Sequence, residues 1–470
     1  MDNENVIKQD IKQKKSENRS QGKSSGLYWW QLSLIGIGSI IGAGFFLGTS
    51  LSIKTAGPAI LINYLFAGIT AFFVFSALAE MTVMDPCPGS FRTYAKKAFG
   101  NSLGFVSGWM YWLAGVLIIS SESVALATFT KFWFPHVPLW IFTLAYVGLA
   151  FGINFLGVKN FGTIESLFAI IKLSTLIIFI VFGALLLTGI ISPHAVSLNE
   201  HNLSHHFFPS GIKGMWAALI FVFFSFGGIE VIGIAATELK KKEDVPKAGI
   251  GMLIALVAVY ILSIFFVLYM VSWTKIDASE SPFVTAMASF NIPYLDSIFN
   301  LIIISAAFST MVGALFSVTN ILISLAEDGA APQAIAQKNS RGTALKALLL
   351  TGLAVTVSLI FSFLLPGKLY EYITTAAGVM LILNWTIILS SQIKLRSQYN
   401  QKQASFKMAG YPVTSIVGIA FILVAVSGCF LHPTQRMGVL ISIVLILILS
   451  TVYWFIYKSS YYFLRKNELK

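Results

Sequence analysis

The chain is a succession of apolar runs of roughly 18 to 28 residues, each long enough to cross about 30 Å of hydrocarbon as an α-helix. Of its residues 56% are hydrophobic and 11% are charged, whereas soluble domains carry about 25% charged residues. We therefore predict an all-α polytopic membrane protein with about twelve transmembrane helices, within a range of ten to thirteen. The predicted spans are 29–51, 57–82, 102–131, 138–156, 162–190, 213–238, 247–272, 293–325, 344–364, 368–391, 412–431 and 436–458.

The positive charge of the chain, +12 overall, is distributed unevenly between its connections. With the N-terminus inside, 25 of the 32 Lys and Arg residues fall in cytoplasmic segments and 6 in external ones. This is the positive-inside pattern, and it predicts that both termini are cytoplasmic. Basic residues placed in this way indicate membrane topology and not nucleic-acid binding.

The segments outside the spans contribute few further signals. Residues 1–28 are polar and lysine-rich without the apolar core of a signal peptide, which predicts a retained, disordered tail, either plainly solvated or regulatory. Cys87 and Cys429 fall on opposite sides of the membrane, which excludes a disulfide framework. We expect no metal and no cofactor. All six histidines are predicted to be external, as a pH sensor or metal cluster or simply solvated: His136, His194, His201, His205, His206 and His432.

The first and sixth predicted spans contain glycine-rich interruptions at mid-membrane. One lies between Gly36 and Gly44, and the other between Phe224 and Glu230. Glycine weakens helices, and unwound backbone survives at this depth only where it lines a cavity. Corresponding breaks in two halves predict an inverted repeat with a substrate between them. The alternative for the first span is a GxxxG face that packs closely against a neighbouring helix.

Several motifs, taken together, are specific to one family. They are residues 40–48 (IIGAGFFLG), 56–59 (AGPA), 78–81 (LAEM), 88–95 (PGSFRTYA), 108–112 (GWMYW), 224–238 (FSFGGIEVIGIAATE) and 325–332 (LAEDGAAP). From about residue 25 to 400, the chain resembles the amino acid transporter family of the amino acid–polyamine–organocation superfamily, the bacterial amino acid permeases. The likeness weakens in the last two helices.

This resemblance implies a five-plus-five inverted repeat with discontinuous helices 1 and 6 and two additional C-terminal helices. It also implies import or exchange of amino acids, often with a proton. The expected organisation is a tail (1–28), a first repeat (29–190), an external loop (191–212), a second repeat (213–391), two further helices (412–458) and a cytoplasmic tail (459–470).

A zwitterionic amino acid needs hydrogen-bond donors for its carboxylate and acceptors for its ammonium. In this fold the second half of helix 1 begins at the break, so we assign the carboxylate to backbone N–H groups and the ammonium to carbonyls. Relatives of this family use the same pattern of positions. The predicted donors are Gly42, Ala43 and Gly44, and the predicted acceptors are Ile40, Ile41, Phe224 and Gly227.

Other residues near the breaks have alternative interpretations. Phe224 and Phe226 either close over the site or pack in the core, and by resemblance Phe224 is the better lid. Gly227 and Gly228 leave room for a substrate side chain. Glu122, in the middle of the third span, either lines the site or belongs to a polar network in the core.

Lys172 lies well inside the fifth predicted span. A lysine there is costly, faces the bundle interior and indicates function, and desolvation suits it to load and release a proton. By resemblance, its ammonium takes the place of the cation in sodium-coupled members of the fold. The alternative is a side chain that snorkels to the inner surface.

Three further carboxylates are candidates for coupling or gating. Glu230 follows the second break and either stays protonated, braces the unwound segment or transfers a proton. Glu80 and Glu238 lie near the cytoplasmic ends of their spans. They either form gating ion pairs with Arg92, Lys96 or Lys240, or are solvated charges at the membrane boundary.

The sequence contains no phosphate loop, metal-ligand cluster or nucleophile–base pairing, so we expect neither an enzyme nor an ATP-driven pump. We expect a secondary transporter of the cytoplasmic membrane that imports amino acids by proton symport and alternating access. Neutral substrates are favoured, while Glu122 leaves cationic ones as an alternative. Helices 3, 8 and 10 should complete the cavity. The partners are the amino acid, a proton and the bilayer, and the oligomeric state stays open. The alternatives are an exchanger or exporter of the same fold, and an amino acid sensor.

Overall fold

The structure is a computed structural model that describes residues 27–156, 161–190, 207–339, 342–363, 369–398 and 405–468. Its regular elements in this part of the chain are helices, apart from one isolated bridge between Leu27 and Leu239. The α-helices are α1 (Trp29–Ile40), α2 (Ala43–Phe46), α3 (Gly48–Ala56), α4 (Ile60–Met84), α5 (Phe91–Phe99), α6 (Asn101–Thr130), α7 (Leu139–Leu156), α8 (Phe161–Leu187), α9 (Gly211–Phe224), α10 (Ile229–Ala235), α11 (Val245–Met270), α12 (Pro282–Ala288), α13 (Leu295–Glu327), α14 (Leu345–Phe363), α15 (Leu369–Arg396), α16 (Val413–Gly428) and α17 (Pro433–Glu468).

Within the described residues, nine helical segments are long and apolar enough to cross a membrane. Two shorter apolar helices, Leu139–Phe155 and Leu345–Phe361, add to these. One of the nine segments, Ala43–Met84, is divided by a 3₁₀ turn at Gly57–Ala59. It therefore combines the end of the first predicted span, before the turn, with all of the second. The protein is therefore an all-α polytopic membrane protein, as predicted, and each of the twelve predicted spans contains helix.

The outer surface of the helix bundle is apolar. Large apolar side chains on many helices point outward, among them Leu149 (58% exposed), Ile178 (63%) and Leu349 (63%). In water such a surface would be an aggregation hazard, whereas lipid tails solvate it at no cost. Buried polar side chains occur on many helices, and Glu122, Lys172 and Glu230 are among them.

Both predicted breaks are present. Helix α1 ends at Ile40, residues Ile41 and Gly42 are extended, and α2 begins at Ala43. Helix α9 ends at Phe224, and α10 begins after Gly228, whose φ of +108° only glycine adopts readily. The first break is shorter than the glycine pattern indicated, because Gly36 and Gly38 remain in α1.

Backbone bonds tie the start of α1 to the segment that follows α10. The Leu27 N–H donates to the Glu238 carbonyl at 2.9 Å, and the Lys240 N–H donates to the Leu27 carbonyl at 3.1 Å. The Lys240 ammonium lies 3.7 Å from the centre of the Tyr28 ring. These contacts join the two broken spans at the end that the charge pattern predicts to be cytoplasmic.

Some predictions fall outside what the structure describes or tests. The tail up to residue 26 and residues 191–206, with four of the histidines, lie outside the described residues. Of the other two, His136 is exposed, and His432 lines an external vestibule. The division into two five-helix repeats stays a prediction.

Candidate functional site

The two breaks lie against each other at the centre of the bundle. The Ser225 hydroxyl donates to the Gly44 carbonyl at 2.9 Å. A Cβ atom on Gly228 would come within 2.8 Å of the Ser39 carbonyl oxygen, and one on Gly44 within 2.9 Å of the Phe224 ring. Glycine at these two positions therefore permits the close approach of the two unwound backbones.

Glu122 on α6 reaches the first break directly. Its two carboxylate oxygens accept hydrogen bonds from the Ala43 N–H at 3.1 and 3.0 Å, and the Gly44 amide lies beside them. A Cβ on Gly42 would approach the carboxylate to 2.7 Å, so this glycine makes room for it. Glu122 is buried and also lines the small cavity at the breaks. The backbone donors assigned to a substrate carboxylate are thus held by a carboxylate of the protein.

Lys172 on α8 lies at the other side of the same break. Its side chain is 1% exposed, and its Nζ donates to the Gly38 carbonyl at 2.6 Å and to the Thr310 hydroxyl at 2.9 Å. The Thr310 hydroxyl in turn lies 3.1 Å from the Gly38 oxygen and 2.9 Å from that of Ile41. This burial is incompatible with snorkelling. The ammonium instead binds the Gly38 carbonyl near the end of α1, where the interrupted helix leaves carbonyl groups without helical partners.

Glu165, also on α8, is a buried carboxylate that the sequence analysis did not select. Its Oε2 accepts from the Ser309 hydroxyl at 3.1 Å, and its Oε1 has no hydrogen-bond partner among the described residues. Lys172 lies close enough to both Glu165 and Glu122 for their charges to interact. The seven-residue spacing between Glu165 and Lys172 was the missed signal, since it puts both on one face of the helix.

Glu230 braces the second break. Its Oε1 accepts from the Gly228 N–H and its Oε2 from the Trp385 indole, both at 3.2 Å, and the Tyr111 hydroxyl lies against it. Of the three roles predicted for this carboxylate, its contacts support the bracing role. Trp385 and Tyr111 were not selected from the sequence, because nothing in their local pattern separates them from packing aromatics.

The two candidate lid residues occupy different environments. Phe224 lines the cavity between the breaks. Phe226 is fully buried and packs against the rings of Tyr64 and Tyr260, with centroid distances of 6.1 and 5.4 Å. The structure therefore gives Phe226 a packing position, and Phe224 is the one that faces the cavity.

The cavity at the breaks is small, with a volume of about 40 Å³, which is room for about one water molecule. Above it opens a vestibule of about 1320 Å³, lined by residues of the predicted external segments, among them Lys54, Asp277 and His432. Tyr370 lines the vestibule, and its hydroxyl donates to the Ala43 carbonyl at 3.0 Å. Tyr370 therefore links the vestibule to the first break, and the vestibule lies on the side that the charge pattern predicts to be external.

Comparison with known proteins identifies the family. The sequence model described as "Amino acid permease" matches residues 31–469. The chain belongs to the amino acid permease family. It is similar to the uncharacterized transporter YcgH of Bacillus subtilis, with 40% identity over 93% of this chain and 96% of that protein. The uncharacterized amino acid permease YtnA of the same organism is 34% identical. The aromatic amino acid transport protein AroP of Escherichia coli K12 is 30% identical. The matches to YtnA and AroP each cover 93% of this chain and 96% of the relative. The family is one of transporters, not enzymes.

In this permease Glu80 has a different environment from either one predicted. It is 2% exposed, and Arg396 pairs with it at 3.3 Å. Its Oε2 also accepts from the Gln392 amide at 2.9 Å and the Met408 N–H at 3.0 Å. The solvated boundary charge was therefore wrong for Glu80, because the connection between α15 and α16 folds back over it. Sequence spacing could not reveal that contact.

The basic residues predicted to pair with Glu80 and Glu238 bind other acceptors. Arg92 and Lys96 both contact the Asp328 carboxylate, at 2.7 and 3.1 Å, and not Glu80. Glu238 is exposed, and its backbone carbonyl is the group that receives the Leu27 N–H. In the described part of this permease, the acidic partner of Arg92 and Lys96 is thus Asp328, and the basic partner of Glu80 is Arg396.

Proposed function

We propose that this permease imports neutral amino acids across the cytoplasmic membrane by proton symport, with alternating access to a site between the two helix breaks. The observation that carries the proposal is the buried ammonium of Lys172 on the Gly38 carbonyl, with Glu165 and Glu122 close by. A charge in this position holds the first break in one arrangement, so a change in its protonation alters the stability of that arrangement.

The backbone of the first break receives the substrate carboxylate, through the amides of Gly42, Ala43 and Gly44. Carbonyls of the two breaks receive the ammonium, and each carbonyl retains a second lone pair where the protein already uses one. The small cavity must widen for this, since an amino acid needs more room than a water molecule. Phe224 lies where it can cover the bound substrate.

The substrate side chain points toward the second break, where Gly227 and Gly228 leave space. No cationic side chain is among the residues that line the small cavity, and Lys172 is held just beside it. AroP is described as an aromatic amino acid transport protein. Aromatic amino acids are therefore among the first substrates to test, together with small neutral ones.

In proton symport the amino acid and the Lys172 proton are loaded in the outward-facing arrangement. The external vestibule then closes and the contacts of Leu27 and Lys240 at the inner end separate, which is alternating access by one group of helices against the other. Lys172 now releases its proton to the inside. The neutral amine binds the Gly38 carbonyl more weakly than an ammonium does, which loosens the first break as the substrate leaves.

Uptake into proteoliposomes tests this proposal. Purified protein is reconstituted, a pH gradient that is acid outside is imposed, and labelled amino acids are offered singly. We expect accumulation of a neutral amino acid that a protonophore abolishes and that does not need sodium. Sodium-dependent, protonophore-resistant uptake would refute proton coupling, and counterflow without net uptake would establish an exchanger. Binding without flux would establish a sensor.

A further inference from the structure

The carboxylate of Glu122 occupies the position in which the proposed function places the carboxylate of the substrate. Both of its oxygens lie at hydrogen-bond distance from the Ala43 N–H, at 3.1 and 3.0 Å. The residual cavity, about 40 Å³, is too small for an amino acid beside it. In this arrangement the backbone donor of Ala43 is satisfied by the protein itself.

The return step without substrate is energetically costly for any carrier that binds its substrate through backbone N–H groups. A buried N–H without an acceptor is destabilising, and it stays buried while an empty carrier passes between its two orientations. A carrier whose own residues offer no acceptor for this N–H therefore passes between its two orientations only with substrate bound, which makes it an exchanger. A carrier with an internal acceptor can return empty, as net uptake requires.

We propose that Glu122 is a substitute ligand, which binds the Ala43 N–H when the site is empty and withdraws when the amino acid carboxylate arrives. This inference rests on the proposed function and adds to it a residue that decides between net transport and exchange. Lys172 supports the assignment, because its charge interacts with Glu122 and steadies the carboxylate next to the break.

The matching shape of the surroundings is a second argument. Glycine at position 42 leaves the volume that the Glu122 carboxylate fills, since a Cβ there would lie 2.7 Å from its Oε1 and 2.8 Å from the Thr310 methyl carbon. Helix α6 is unbroken from Asn101 to Thr130, so it presents Glu122 from a rigid support. The side chain is long enough to swing away by rotation about its own bonds.

The test compares net uptake with exchange in proteoliposomes that contain Glu122→Met or Glu122→Gln. Methionine keeps the length of the side chain but removes the acceptor, whereas glutamine keeps a neutral oxygen. We expect the ratio of net uptake to exchange to fall about tenfold in Glu122→Met, the order expected for an unsatisfied buried N–H, and to stay near the wild-type ratio in Glu122→Gln. Ser121→Ala is the control, because the Ser121 hydroxyl donates to the Ile118 carbonyl of its own helix and, among the described residues, forms no hydrogen bond to either break.

Equal losses of net uptake and exchange in Glu122→Met would overturn the inference and give Glu122 a structural or substrate-binding role. An unchanged ratio would overturn it as well, as would a wild type that only exchanges. If Glu122→Met does not fold, Glu122→Asp replaces it, because the shorter side chain withdraws the carboxylate from Ala43 and should lower the ratio. Failure of the wild type to transport any amino acid would instead refute the proposed function itself.

Discussion

Replacement of Lys172 by methionine is the perturbation with the largest expected effect. The change keeps the length of the side chain but removes two hydrogen bonds, to the Gly38 carbonyl at 2.6 Å and to the Thr310 hydroxyl at 2.9 Å. It also removes the positive charge next to Glu165 and Glu122. A hydrogen bond to a charged group contributes about 1.5–3 kcal/mol of net stability. Thr310 still contacts the Gly38 oxygen, so we expect about 3 kcal/mol of lost stability for the two bonds together.

The effect on transport should be separable from the effect on stability. Lys172→Met should abolish protonophore-sensitive accumulation while some counterflow remains, because the substrate-binding backbone is intact but the proton carrier is absent. The double variant Lys172→Met/Glu165→Gln should recover part of the thermal stability without recovering accumulation, since it removes one uncompensated carboxylate. Lys338→Met is the control, because Lys338 is exposed at the inner surface.

Accumulation driven by a pH gradient in Lys172→Met would refute the reasoning, whatever the stability of the variant. A double variant that is less stable than either single variant would contradict the charge interaction between Lys172 and Glu165.

Three further predictions concern other parts of the molecule. Gly228→Ala should lower transport at least tenfold, because Gly228 has a positive φ and its backbone abuts the first break, whereas Gly251→Ala, with open space around it, should transport normally. Arg396→Met should destabilise the protein by about 3 kcal/mol, measured by thermal denaturation in detergent. Adding Glu80→Gln to the Arg396→Met variant should restore part of this loss. An unchanged denaturation midpoint in Arg396→Met would contradict the ion pair. Burial acts to raise the pKa of Asp328, but its two basic partners outweigh burial and hold the pKa below its usual range. The stability that Asp328 contributes should therefore be complete above the ordinary aspartate pKa of about 4, constant between pH 5 and 8, and lost only as the pH falls below 4. Denaturation of the wild type and of Asp328→Asn at a series of pH values measures this contribution. A loss of stability near neutral pH would contradict the assignment.

The features that follow from composition and backbone chemistry were predictable from the sequence. Twelve apolar runs predicted the spans. Clustered glycines predicted the two breaks, with a carboxylate as a further signal at the second, because few other sequences interrupt a helix in hydrocarbon. Lys172 stood out for the same reason, since a charge within an apolar run has few explanations. Such signals lie within one segment of the chain and need no knowledge of its neighbours.

Contacts between distant segments were not predictable. The pairing of Glu80 with Arg396 joins residues more than 300 positions apart, and Glu122 reaches Ala43 from another helix. The interpretation of both carboxylates stayed open for that reason, because the rotation of a helix about its axis decides which residue meets which. Glu165 is a further example, because its spacing from Lys172 can be read from the sequence but its burial cannot.

The most direct test of the central claim is a structure of this protein with its transported amino acid bound. The account predicts the substrate carboxylate within hydrogen-bond distance of the Ala43 N–H, its ammonium on carbonyls of the two breaks, and the Glu122 carboxylate withdrawn from Ala43. A substrate held by side chains in the external vestibule, with Glu122 still on the Ala43 amide in a transporting protein, would contradict it.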